Sequence, residues 1–103
     1  MIDEVALHRD ELEALCRQFH VRRLDLFGSA ARGDFDPNRS DVDFLVEFDR
    51  NHPDALSLRT FIGLKESLEH LLGRPVDLIE PSAMRNPYLR ANIENSRVAL
   101  FEA

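Results

Sequence analysis

The sequence predicts one α+β (α/β) domain over residues 1–103, with a small mixed sheet of three to four strands packed by helices on one face. Three observations point there. A chain of 103 residues suffices for one domain with a modest core. Its apolar residues switch repeatedly between helical spacing and strict alternation. Gly, Pro and Asn fall between those segments, where turns belong.

Residues 3–19 read as an amphipathic helix, because Ile2, Val5, Leu12, Leu15, Cys16 and Phe19 recur at helical spacing. VRRLDLF (21–27) reads as a strand in which Leu24 and Leu26 alternate with charged neighbours. GSAAR (28–32) is a tight turn into a short helix, and GDFDPNRS (33–40) is a loop. DVDFLVEF (41–48) is the clearest strand, with Val42, Phe44, Val46 and Phe48 on one face and Asp41, Asp43 and Leu45 on the other. After a turn at 49–54, residues 55–72 carry a helical stripe of Phe61, Leu64, Leu68, Leu71 and Leu72, closed by Gly73. PVDLI (75–79) is a third strand, with Asp77 and Ile79 on one face and Val76 and Leu78 on the other. A helix over 82–95, interrupted or restarted at Pro87, and a short strand at 97–102 complete the order.

Composition narrows the function. The formal net charge of −6 argues against a nucleic-acid binder, which needs a basic face to neutralise phosphates. An acidic chain can still take a nucleotide when metal ions stand between its carboxylates and the phosphates. The single cysteine, Cys16, cannot form an internal disulfide, which fits a reducing compartment. The stretch MIDEVALHRDE has no apolar signal core, and no apolar run approaches membrane-spanning length. A cytoplasmic protein is expected. His8, His20, His52 and His70 are scattered without metal-ligand spacing and read as surface or satisfied core residues.

The chemistry concentrates in one pattern. In a strand, residues two apart project together, so Asp41 and Asp43 share a face with Cα atoms roughly 6.5–7 Å apart. Two neighbouring carboxylates resist joint ionisation unless a cation lies between them. Mg²⁺ suits such hard oxygen donors, and a pair of ions about 3.5–4 Å apart can clamp a phosphoryl group during in-line displacement. Asp77 supplies a third carboxylate from another strand. Gly28 and Ser29 stand at a strand-to-helix turn, where backbone N–H groups suit phosphate oxygens, and Arg32 can help to hold a triphosphate. Each piece has an ordinary reading on its own: Gly-Ser as a turn, Asp-x-Asp as a solvated strand edge, Asp77 as a surface residue. The combination is far more specific.

FGSAARGDFDPNRSDVDFLVEF (27–48) resembles the signature of the minimal nucleotidyltransferases, or MNT-domain proteins, of the DNA polymerase β-like superfamily. That signature is Gly-Ser, Arg-Gly shortly after, then Ser-Asp-x-Asp followed by apolar residues. The likeness continues through LKESLEHLLGRPVDLIEPSAMRNPYLRANIENSRVALFE (64–102) and covers nearly the whole chain. It implies the nucleotidyltransferase fold, nucleotide phosphates on Gly28 and Ser29, Mg²⁺ on Asp41 and Asp43, and Asp77 as a general base that can share a metal. It also implies ATP as donor and a partner of the HEPN class, a helical ribonuclease toxin. This chain would then act as the antitoxin, placing AMP on a tyrosine of that toxin and binding it. The core uses the whole chain, so a second protein or a second copy is expected to complete the acceptor side. Two alternatives stand beside this expectation: an antitoxin that works by binding alone, and a transferase acting on a small molecule such as an aminoglycoside.

Overall fold

The computed structural model describes residues 3–32, 36, 41–53, 55, 57–81 and 86–103. Its elements run α1 (Asp3–Leu7), α2 (Arg9–Gln18), β1 (Val21–Phe27), α3 (Ser29–Arg32), β2 (Val42–Phe48), α4 (Leu58–Leu72), β3 (Val76–Ile79), α5 (Pro87–Ser96) and β4 (Val98–Glu102). The strands form one mixed sheet in the order β3-β2-β1-β4. β1 pairs antiparallel with both β2 and β4, and β2 pairs parallel with β3. The α+β class and the four-strand mixed sheet are those expected. The C-terminal strand closes on β1 of its own chain, where the pattern of alternation alone left its partner open.

The first expected helix is two. It breaks at His8, which has φ −107° and ψ 25°, and the chain restarts at Arg9. Gln18 ends α2, and His20 turns the chain into β1 with a left-handed φ of 62°. The loop residues 33–35 and 37–40, and most of the segment 82–86, lie outside the described residues, so the expected early start of the last helix is not addressed there.

The main core lies between the sheet and α2 and α4. Leu12 and Cys16 of α2 and Leu64, Leu68 and Leu72 of α4 meet Leu24, Leu26, Phe44 and Val46, all buried. Burying a side chain such as Phe44 contributes about 1.5–3 kcal/mol. Burial pushes the Cys16 thiol up to about 12, Glu13 adding to the rise and Arg17 opposing it, so the thiol stays protonated at neutral pH.

α4 is set at both ends. Ser57 caps its start by accepting the Thr60 N–H at 3.1 Å. Gly73, left-handed at φ 66°, ends it by donating to Glu69 O at 2.8 Å. The Glu69 carboxylate accepts the Val76 N–H at 3.1 Å, and Arg74 reaches Glu4 at 2.7 Å. The Val76 N–H, aided by Lys65, holds the Glu69 carboxyl below its usual range, and Arg74 does the same for Glu4. These contacts fix where β3 begins, and therefore where Asp77 stands.

One helix departs from the expected single helical face. α5 is capped by Asn86, which accepts the Tyr88 N–H at 2.9 Å, with Pro87 in its first turn. Its Ile93 packs against Phe27 and Leu45, with Ile79 beside them, on the face of the sheet opposite the main core. The reason is in the strands. That face carries apolar residues as well as aspartates, and leaving Phe27 and Leu45 in water would forfeit their burial. α5 covers the apolar part and leaves the carboxylate end uncovered by its buried contact.

Candidate active site

Pairing across three strands builds the site. Phe27 of β1 is the register partner of Asp43 on β2, and Asp43 is the register partner of Asp77 on β3. Directly paired residues in a sheet project to the same side, with neighbouring strands about 4.8 Å apart. Asp43 and Asp77 therefore stand side by side on the face opposite the main core. Asp41 lies immediately before β2, and Val42 N–H donates to Pro75 O at 3.1 Å, which ties the two strand starts together. Asp41 and Asp77 are exposed and Asp43 is half-buried, as a ligand-facing set must be.

Gly28 follows Phe27, so the β1–α3 turn arrives beside Asp43. It adopts a left-handed φ of 71°. A Cβ at this position would stand 2.5 Å from Asp43 Oδ2, closer than any real contact. The left-handed backbone favours glycine, and a Cβ would force the tip of the Asp43 side chain to move. Gly28→Ala is expected to cost about 1–2 kcal/mol from the left-handed backbone alone. It should also push Asp43 off its position. Thermal unfolding and nucleotide binding measured on the same variant check this, and unchanged binding would mean that the turn does not define the site.

The turn is held internally. Ala31 N–H donates to Gly28 O at 3.1 Å, and Gly28 N–H donates to Ser96 Oγ at 3.2 Å. Ser29 is half-buried at the start of α3. Arg32 ends α3, but its side chain lies outside the described residues, so its expected phosphate contact is not addressed.

Three groups beneath the site were not legible as functional. Asp25 of β1 is fully buried and is the partner of Arg23, at 3.1 Å, and of Arg97, just before β4. Arg97 also donates to Glu94 at 2.7 Å. Burial alone would lower the Arg97 pKa, and the hydrogen bonds and charges of Asp25 and Glu94 raise it overall. A carboxylate between Leu24 and Leu26 on an inner strand was the available signal, because a strand flanked on both sides offers little room for a wet residue. Nothing in the sequence marked Ser96.

Asp43 and Asp77 offer hard oxygen donors on one face, with Asp41 immediately before β2, and carboxylate oxygens are donors that a small divalent cation takes. Among the described residues, which include Asp41, Asp43 and Asp77, no group of three His, Cys, Asp or Glu side chains is placed so that it could hold a metal ion. Carboxylate oxygens suit a cation in chemistry, and the register pair Asp43 and Asp77 share a face of the sheet. The described clefts open elsewhere. One, of about 470 Å³, is lined by Arg22, Glu47, Arg50 and Glu80 at the far ends of the strands, and another, of about 610 Å³, lies between α2 and α4. The histidines hold one surprise: His20 and His52 stack with ring centroids 3.5 Å apart.

The family model of the nucleotidyltransferase domain matches residues 9–100. The chain belongs to the nucleotidyltransferase domain family. Among the relatives of this nucleotidyltransferase domain is the protein adenylyltransferase MntA of Thermococcus cleftensis, 42% identical over 79 residues, covering 77% of this chain and 72% of the relative. The fold matches the solved structure of a minimal nucleotidyltransferase with a TM-score of 0.74 and 31% identity, covering 94% of this chain and 95% of that one. It also matches, in fold, a chain of the complex between tri-AMPylated Shewanella oneidensis HEPN toxin and MNT antitoxin. There the TM-score is 0.64 at 20% identity, with 95% of this chain and 72% of the other covered. No helix among the described residues of this nucleotidyltransferase domain is long and apolar enough to cross a membrane.

Proposed function

We propose that this nucleotidyltransferase domain is a cytoplasmic protein adenylyltransferase of the antitoxin kind, moving AMP from ATP to a tyrosine hydroxyl of a HEPN-domain toxin and binding that toxin. The observation that carries the reading is the row Phe27–Asp43–Asp77, which sets two carboxylates from adjacent strands beside the glycine turn. The relative named as a protein adenylyltransferase supports a protein acceptor, and the fold neighbour from a complex with an AMPylated toxin is consistent with it.

The residues divide the work as follows. The turn at Gly28 and Ser29 receives the phosphates of ATP, Gly28 by letting the backbone approach closely while its own N–H is held by Ser96 and Ser29 by its donors, with Arg32 of α3 to assist. Asp41 and Asp43, with Asp77 able to share, would hold Mg²⁺, which when bound offsets the negative charge of the α-phosphate. Asp77 takes the proton of the acceptor hydroxyl as that oxygen bonds to the α-phosphorus and the bond to pyrophosphate breaks. Orientation of the two substrates supplies much of the rate. The net charge of −6 suits a basic protein partner and repels the nucleic acid that a ribonuclease toxin would bind.

Incubating the chain with its HEPN-class partner, ATP and Mg²⁺ is expected to add the mass of one or more adenylates to the partner, on a tyrosine by fragmentation. No adduct on protein, with label appearing on a small molecule instead, would replace the protein acceptor. No adduct anywhere, with full protection of cells by an Asp41→Asn, Asp43→Asn double variant, would leave an antitoxin that acts by binding alone.

A further inference from the structure

Gly28 N–H, in the turn assigned to phosphate binding, is already engaged by a side chain from the other end of the fold. It donates to Ser96 Oγ at 3.2 Å, across 68 residues of chain. Ser96 is the last residue of α5, and α5 is anchored on this face by Ile93. The next residue, Arg97, is gripped by fully buried Asp25 and by Glu94. Asp25 sits three residues before Gly28 on the same strand that leads into the turn. The contacts therefore close a ring: Asp25 to Arg97 by charge, Arg97 to Ser96 by the chain, Ser96 to Gly28 by a hydrogen bond, Gly28 back to Asp25 along β1.

We propose that Ser96 is a positioning residue for the phosphate-binding turn, and that the Asp25–Arg97 pair fixes the α5–β4 corner from which Ser96 acts. This deepens the transferase reading and rests on it. The turn backbone lies close against Asp43, since a Cβ built at Gly28 would stand 2.5 Å from Asp43 Oδ2. A shift of a few tenths of an ångström in Gly28 alters the spacing between the backbone that meets the phosphates and the carboxylate that faces them. Misplacement of about 1 Å can cost on the order of a hundredfold in rate even when the altered residue touches no substrate.

The test compares native chain, Ser96→Ala and Ser96→Thr, which keeps the hydroxyl. In nucleotide-free protein, hydrogen exchange of the Gly28 amide is expected to quicken about five- to tenfold in Ser96→Ala and to return close to native in Ser96→Thr. In the transfer assay, Ser96→Ala should raise KM for ATP about tenfold with a smaller change in kcat, and Ser96→Thr should recover most of it. Unchanged Gly28 exchange in Ser96→Ala overturns the proposal whatever the assay gives. Faster exchange with an unchanged KM also overturns it, since the bond would then be structural only. Global unfolding of Ser96→Ala would show as faster exchange at buried amides such as Phe44, and Ser96→Thr then decides: native exchange and native KM support the hydroxyl's role, and loss of either refutes it. The transferase reading fails by a different result, an Asp43→Asn variant that transfers AMP at the native rate.

Discussion

Asp43→Asn is expected to lower AMP transfer by on the order of a hundred- to a thousandfold, the scale of losing one preorganised charge-stabilising group. Asp43 is the middle of the row, paired to Phe27 on one side and Asp77 on the other, with the glycine turn against its Oδ2. Asparagine keeps the shape and one oxygen but removes the charge that would hold a cation. Asp41→Asn should cost less, because Asp41 lies outside β2 and is exposed at the rim. Asparagine is nearly isosteric with aspartate, so the Asp43→Asn chain should stay folded, which a thermal melt checks. Lost activity with a retained melting temperature is the combination that separates a site residue from a structural one. An Asp43→Asn chain that transfers normally would move the active site elsewhere.

The facing of the candidate carboxylates is legible in the sequence, whereas the groups that brace the turn are not. The pattern of β2 has period two, so Asp41 and Asp43 had to leave the core together once Val42, Phe44 and Val46 entered it. Asp77 was readable for the same reason on β3. The structure adds the register that makes Asp43 and Asp77 neighbours, which no local pattern contains. Gly28 was marked as a turn, but its need for a missing Cβ depends on a residue 15 positions later. Gly73 was legible as a helix end because that signal is local. The break at His8 was not, since Leu12 and Cys16 continue the helical stripe across it. The stack of His20 on His52 needs the hairpin ends of β1 and β2 to meet, a tertiary fact. The placement of α5 follows the same rule. Its pattern shows a helix, and only the sheet's apolar Phe27 and Leu45 decide which face receives it.

Asp25→Ala should be the most damaging single change to stability among the charged residues described, at about 3 kcal/mol, the lower end of what breaking a buried pair costs. The lower end applies because the guanidinium partners are not equally trapped. The Asp25 side chain is 1% exposed, whereas those of Arg23 and Arg97 are 33% and 20% exposed and can turn partly toward water once abandoned. For a domain of this size that loss lowers the melting temperature by roughly 10–20 °C. The pair need not be a net stabiliser for this to hold. Removing both charges together, as in Asp25→Leu with Arg97→Met, takes away the buried carboxylate and its main guanidinium at once, and such exchanges are often neutral or favourable. The double variant should therefore melt well above Asp25→Ala, and a double-mutant cycle measures the coupling directly. It should nonetheless lose the grip on the α5–β4 corner, so a stable double variant with weakened ATP use would show that the charges are kept for position more than for stability. If Asp25→Ala melts like the native chain, the buried carboxylate is not holding the strand to the corner, and Ser96 must owe its position to the packing of Ile93 alone.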